Sequence, residues 1–206
     1  MALLRPFERR DLEAIYAICL ATGASGEDAS ALYRDPRLIG HIYAAPYALL
    51  SPETALVAED GEGVAGYIVG ALDTRAFDDR LEREWWPALR DRYADPPGTP
   101  PSGWDADQKR SFVIHHPDRV PDAVVDAFPS HIHMNFVPRL QGRGVGRELL
   151  ERWLREARYL GADGVHLGVS AENHRAIHFW QRSGFRRLDV PGEASAWFGL
   201  RISERD

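Results

Sequence analysis

Apolar and polar positions recur along the chain in two periods, and the switches between them mark the elements. Residues 2–6 read as a short first strand, ended by Arg5 and Pro6. Between Asp11 and Thr22, Leu12, Ile15, Tyr16 and Cys19 fall at helical spacing, with Gly23 as the stop. A second helical region is predicted from Gly26 to Ala45, on Leu32, Tyr33, Leu38, Ile39, Ile42 and Tyr43. Asp35-Pro36 breaks it and Pro46 closes it. Thr54 to Glu59 and Val64 to Leu72 read as strands joined by a tight glycine turn at 60–63. The second of these is nearly all apolar, which places it centrally in a sheet. Asp78 to Tyr93 carries a stripe at Leu81, Trp85 and Leu89 and predicts a helix perturbed at Pro87. Residues 96–103 are a proline- and glycine-rich loop, with shorter helical pieces expected at 105–113 and 121–127.

From residue 130 to 185 the elements follow without a break. His131 to Val137 is a β-like run stopped by Pro138, and a glycine loop at 141–146 opens into a helix from Val145 to Leu160. That helix carries Val145, Leu149, Trp153, Ala157 and Leu160 at steps of three and four, a core stripe. A strand from Val165 to Val169 and a helix from Arg175 to Arg182 come next. Two last strands are expected at 186–190 and 196–202, with Pro191-Gly192 between them.

Composition narrows the picture. With 206 residues and 44% hydrophobic content the chain has material for one sizeable core and reads as a single domain over 1–206. A net charge of −6 argues against a broad nucleic-acid surface. The single cysteine, Cys19, excludes an internal disulfide and any zinc cluster built on several cysteines; its place on an apolar helix face reads as a buried thiol. No long apolar run is present, and Arg5, Glu8, Arg9 and Arg10 stand where a signal peptide needs its apolar segment. The expectation is a soluble cytoplasmic protein with no membrane partner.

The chemistry concentrates in Gln141-Gly142-Arg143-Gly144-Val145-Gly146. One glycine suffices for a strand–helix turn, whereas three cost backbone entropy and let the main chain approach a ligand closely. A helix N-terminus adds unpaired N–H groups and partial positive charge, and Arg139, Arg143 and Arg147 add full charges. This is a pyrophosphate cradle in outline. A dinucleotide fingerprint is excluded because Arg147 stands where its third glycine belongs; neither a P-loop nor a G-x-S-x-G elbow occurs.

The spacing Gln141-x-x-Gly144-x-Gly146 resembles the acetyl-CoA loop of the GCN5-related N-acetyltransferase (GNAT) superfamily. Asn173-His174-Arg175-Ala176 and Phe179-Trp180-Gln181-Arg182-Ser183-Gly184-Phe185 are similar to that superfamily's N-x-x-A and F-Y-x-x-x-G-F segments, in the right order. Residues 129–133 and 164–169 resemble, more narrowly, the acetyltransferase-like domain of the O-GlcNAcase family and its free-standing bacterial relatives. The resemblance implies an α/β GNAT fold: a mixed, largely antiparallel sheet of six or seven strands, helices on both faces, and a splayed central strand pair. It implies acetyl-CoA in that gap, with the backbones of Met134 and Phe136 along the pantetheine, Val137 as a further cofactor contact, and Gln141, Gly142, Arg143, Gly144, Val145, Gly146 and Arg147 around the pyrophosphate. Asn173 matches the asparagine that reaches the pantetheine arm, although an N-cap role alone accounts for asparagine there. Ala176 and Phe179 match the lining of the thiol end, where core packing is an equal account.

Two departures from the family pattern bear on chemistry. A tyrosine often serves as acid where Trp180 stands, and a glutamate often serves as base where Gly168 stands; Asn135, on the splayed strand, is an amide. His131, His133 and His178 are the replacement bases, because imidazole titrates near working pH; His133 is taken as the catalytic candidate, although a strand histidine is more often a hydrogen-bonded core residue. His131-x-His133 as a metal pair has no nearby carboxylate or cysteine, so no metal site is assigned. The long connection 73–128 is expected to wall an acceptor pocket, with Asp73, His41, Tyr43, Tyr47, Glu84, Trp85 and Trp86 as contacts. The function implied is direct transfer of acetyl to an amine of a small molecule or protein. The alternative is a pseudo-acetyltransferase that binds acetyl-CoA or a protein partner without turnover.

Overall fold

The computed structural model describes residues 2–98, 103–190 and 195–202. Strands β1 (Leu3–Pro6), β2 (Leu56–Asp60), β3 (Gly63–Ala71), β4 (Ser130–Phe136), β5 (Gly164–Ser170), β6 (Arg186–Arg187) and β7 (Ser195–Arg201) form one sheet in the order β1-β2-β3-β4-β5-β7-β6. Every neighbouring pair is antiparallel except β4 and β5, which run parallel. The mixed, largely antiparallel sheet expected from the sequence is present with seven strands.

Helices cover both faces, because each strand alternates side chains between them. On one face α8 (Val145–Tyr159) lays Leu149, Leu150 and Trp153 over Ile68 and Ile132. Trp153 is fully buried and its indole N–H donates to the Thr54 carbonyl at 2.9 Å, so this large ring carries no orphan donor. Gly70 makes room for it: a Cβ there meets the His131 carbonyl at 2.4 Å and Trp153 at 2.9 Å. Helix α9 (His174–Arg182) closes the same core through Trp180. On the other face α1 (Leu12–Ala21), α2 (Leu38–Tyr43) and α3 (Ala45–Leu50) bury Ile15, Leu38 and Tyr47 against Tyr67 and Val69. Cys19 lies in this core, where burial pushes its thiol up to about 11, as suits a packed side chain.

The connection 73–128 folds as α4 (Thr74–Glu84), α5 (Trp86–Arg92), α6 (Ala106–His115) and α7 (Asp122–Ala127), of which α4, α5 and α6 pack into the core on that second face. Asp73 caps α4, accepting from the Ala76 N–H at 2.9 Å. The single helix predicted over 78–93 is two helices, since Pro87 suits the first turn of α5 and cannot continue α4. Likewise the helix predicted over 26–45 is helical only from Leu38. Pro46 opens α3 where a stop was expected. The strand predicted at 186–190 is two residues long. Residues 99–102 of the proline loop and the Pro191-Gly192 turn lie outside the described residues. Among the described residues no helix is long and apolar enough to cross a membrane.

Candidate active site

The site begins where β4 and β5 part. They pair only at Ser130↔Val165 and His131↔His166, so beyond His131 the two central strands splay, as the resemblance implied. Pairing of β4 with β3 continues unbroken from His131 to Phe136, and the Val137 N–H extends it to the Ala65 carbonyl at 3.0 Å. In an antiparallel ladder the backbone groups of alternate residues point to opposite sides. Residues 131, 133, 135 and 137 therefore turn theirs to β3, whereas Ile132, Met134 and Phe136 turn theirs into the gap. Met134 and Phe136 stand where a ligand laid along the gap finds them. The Val137 backbone turns the other way: its N–H is used by Ala65 and its carbonyl accepts from the Leu140 N–H at 3.1 Å.

The glycine loop follows directly. Gly142 (φ 72°) and Gly144 (φ 82°) take the left-handed backbone, and no heavy atom lies within 4 Å of a Cβ built on either. Both glycines thus border open space. The backbone N–H groups of residues 142–146 make no hydrogen bond to any described residue; only at Arg147, whose N–H reaches the Gly144 carbonyl at 3.0 Å, does α8 begin to bond itself. Five successive free donors at the head of a 15-residue helix form an anion nest. Gln141 braces it: its side-chain amide donates to the Phe136 carbonyl and accepts from Arg175, both at 2.6 Å.

The three loop arginines separate. Arg139 pairs with Asp60 at 2.8 Å and Arg147 with Glu151 at 2.9 Å, so neither is spare. Arg143 is exposed and makes no hydrogen bond or ion pair with a described residue, leaving it as the cation for a phosphate. At the inner end the rings of Phe136 and Phe179 close on Gly146, each 3.5 Å from a Cβ built there, and Ala176 is half-buried on the same core. Asn173 accepts from the Ala176 N–H at 3.0 Å as the N-cap of α9. These residues fit the pantetheine and diphosphate of acetyl-CoA: a strand edge with free amides, then a nest of free donors.

On the second face of the sheet, β4, β5 and β7 floor a cavity of about 780 Å³. His131 and His133, His166 and Trp197 form its floor; α4, Trp86 and residues 117–120 form its wall. The long connection walls this pocket, as anticipated. Asp78, Asp79 and Asp118 face it against Arg75 and Arg119, and Glu82 at its edge is held by Arg90 at 2.8 and 2.9 Å. Burial pushes the Asp78 carboxyl up to about 6 even with Arg75 beside it. Burial first, and neighbouring histidines after it, hold both strand histidines neutral; His131 is well below the ordinary imidazole range and His133 is down to about 4.

Of the sequence candidates, His131, His133, Tyr43, Tyr47 and Trp86 line this cavity. Asn135 does not act there: its amide donates to the Thr22 hydroxyl at 2.6 Å and accepts from the Tyr67 hydroxyl at 3.1 Å, tying the end of α1 to the sheet. Trp180 is buried edge-on between Phe179 and Phe185, a core residue and not an acid. His178 lies exposed on α9, away from the cavity. His41 bonds Tyr16 at 2.8 Å, Trp85 donates to the His41 carbonyl at 2.8 Å, and Glu84 pairs with Arg80 at 3.0 Å; with the capping Asp73 these leave the acceptor list. Gly168 faces Trp197 across the ladder, its built Cβ only 3.3 Å from that ring, so the indole fills the space of a glutamate. Sequence reasoning missed Asp78 and Glu82, although their i,i+4 spacing puts both on one side of α4.

A splayed parallel pair, an anion nest at the next helix and a pocket across the sheet define the acyl-CoA-binding class of α/β transferase. The chain belongs to the acetyltransferase (GNAT) family, whose model matches residues 12–185. The solved structure of SsHAT is 36% identical, with a TM-score of 0.90 over 98% of this chain and 99% of that one. Protein O-GlcNAcase of Rattus norvegicus is 24% identical over 182 residues, 88% of this chain but 20% of that protein. Mycothiol acetyltransferase of Geodermatophilus obscurus is 35% identical over 157 residues, 68% of this chain and 50% of that protein. The chain thus spans a fifth to a half of the length of these two relatives.

Proposed function

We propose that this protein transfers an acetyl group from acetyl-CoA directly to a primary amine that enters the acidic cavity. The observation that carries the reading is the run of free N–H groups at 142–146 at one end of the β4–β5 gap, with the cavity at the other. When bound, acetyl-CoA supplies the activated acyl carbon; the amine nitrogen bonds to it as the carbon–sulfur bond breaks and CoA leaves as the thiol. The Met134 N–H, turned into the gap, donates to the thioester oxygen and stabilises the charge that develops there. Asp78, Asp79 and Asp118 draw a cationic acceptor inward. The ammonium first gives one proton to water in the cavity, and His133 takes the second, which the nitrogen sheds as the carbon–nitrogen bond forms. Acetyl transfer is also what the name of the mycothiol acetyltransferase relative describes. The acceptor is a small molecule or an exposed protein amine, and neither nucleic acid nor membrane takes part.

Calorimetric titration tests the first half, with CoA and NADH as controls. Acetyl-CoA binding in the micromolar range or tighter, with no heat from NADH, is expected; absence of binding by either CoA form overturns the loop assignment. Thiol release across a panel of amines tests the second half. Cationic amines are expected to release CoA above the water background. Binding without release from any amine removes the transfer reading and leaves a CoA-binding module.

A further inference from the structure

A line of hydrogen bonds runs from the cavity floor to the main chain, and its direction can be read from its far end. His133 Nε2 lies 3.2 Å from the Tyr47 hydroxyl, which lies 3.0 Å from His131 Nε2. His131 Nδ1 lies 2.8 Å from Thr74 Oγ1, and that oxygen lies 2.7 Å from the Pro129 carbonyl. A carbonyl oxygen only accepts, so the one hydroxyl proton of Thr74 goes to Pro129. Thr74 Oγ1 must then accept from His131, whose Nδ1 carries the proton. Held neutral by burial, His131 has a bare Nε2, which accepts the one proton of Tyr47. Burial also keeps the Tyr47 phenol from ionising, pushing it far above its ordinary range. The Tyr47 oxygen therefore accepts, and its donor is His133 Nε2–H. A neutral His133 is left with an unprotonated Nδ1. That nitrogen has no partner among the described residues and is not sealed from solvent; its ring lines the cavity.

The geometry points to Tyr47, His131 and Thr74 as positioning residues that lock His133 in the Nε2–H tautomer and keep its Nδ1 lone pair open to the cavity. Any other assignment sets two protons or two lone pairs against each other at Tyr47 or at Thr74. The line ends at a carbonyl that takes no proton, so it fixes a tautomer and conducts nothing. A proton taken at Nδ1 leaves by the cavity. In the proposed transfer, on which only this last role rests, the amine proton passes to Nδ1 as the carbon–nitrogen bond forms, and it is returned to the departing sulfur.

Two- and three-bond ¹H–¹⁵N correlation spectra of protein labelled at histidine distinguish the tautomers without any turnover. His131→Gln and His133→Gln supply the assignments. His131 is expected as Nδ1–H and His133 as Nε2–H. A wild-type His133 protonated at Nδ1, or averaged between both forms, overturns the lock. Thr74→Val, which keeps the shape and removes the hydroxyl, is expected to release both rings to mixed tautomers, and Thr74→Ser to restore them. If thiol release is found, Tyr47→Phe should lower kcat on the order of 10²-fold with KM for acetyl-CoA unchanged. An unchanged kcat removes the catalytic role and leaves the tautomer result standing. Should no amine release thiol, the spectra alone decide the lock.

Discussion

Gly144→Ala separates what the glycine loop does for folding from what it does for a ligand. Gly144 sits at φ 82° and a Cβ there meets nothing within 4 Å, so the substitution adds backbone strain and no clash. The left-handed conformation costs a side-chain-bearing residue about 1–2 kcal/mol. In a chain of this size each kcal/mol moves Tm by roughly 2–4 °C, so a fall of about 2–8 °C is expected. The ligand loses more. Residues 142–146 offer five unbonded N–H groups, and a hydrogen bond to a charged partner is worth about 1.5–3 kcal/mol. A methyl group standing in the open side of the nest that displaces one or two of these costs roughly 2–4 kcal/mol, or about 30- to 1,000-fold in Kd for acetyl-CoA. Gly161→Ala is the control. Gly161 has φ 92° and an equally open Cβ position, but it lies at the far end of α8, so it should share the Tm loss and keep the affinity. Calorimetry and thermal melts on the three proteins suffice. Unchanged affinity in Gly144→Ala, or equal losses in both variants, refutes the nest.

Other perturbations have equally definite outcomes. His41 and His133 are held by burial near 4, and buried His131 and His166 are lowered too, so the unfolded chain binds more protons as pH falls from about 6.5 toward 4. Stability should drop across that window by up to about 1.4 kcal/mol per pH unit for each proton. Asp78, pushed up to about 6, opposes this between about pH 4 and 6; a Tm that does not fall from pH 6.5 to 4, or an equal slope in His41→Gln, contradicts the account. Gly168→Glu should not supply a base, because its Cβ meets the Trp197 ring at 3.3 Å. The variant is expected to lose about 1–2 kcal/mol by overpacking, recovered when Trp197→Ala is added; a rise in thiol release would show the position to be catalytic after all. Asp11 accepts two bonds from Arg5, at 2.7 and 2.8 Å, and one from the Glu8 N–H at 2.8 Å, in a buried setting. Asp11→Asn should cost about 3 kcal/mol in urea unfolding, and a loss below about 1 kcal/mol would mean that the pair behaves like a surface ion pair.

What the sequence disclosed was what spacing encodes. The stripe through Leu149 and Trp153, the strand at 131–137 and the glycine loop are local patterns, and each lies where its period put it. The helix predicted from Gly26 failed for a local reason too. Asp28 bonds the Ser30 N–H and Asp35 bonds the Arg37 N–H, both at 2.8 Å, so short polar side chains take the amides that a helix needs. The active-site errors have another origin. Asn135 finds Thr22 from 113 residues away, and Tyr47 reaches His131 and His133 across 84 and 86 residues. No period reports such partners. The direction of the Val137 backbone was equally hidden, because it depends on register with β3, which the alternation of side chains alone does not give. Trp180 shows the opposite case: the motif located it correctly, and only packing could say that its ring belongs to the core.

The sheet is mechanically two plates. One carries β1 to β4 and the other β5, β7 and β6; they are welded only at Ser130↔Val165 and His131↔His166, whereas β5 and β7 share seven paired positions. Past the weld the seam is open, and the rungs missing from it are those that the Met134 and Phe136 backbones present. A molecule lying in the seam works as a splice plate, carrying load between halves that otherwise hold each other through helices and side chains. Stiffness across the middle of this protein is then a property of whether the seam is filled, set by an occupant and not by the sheet alone.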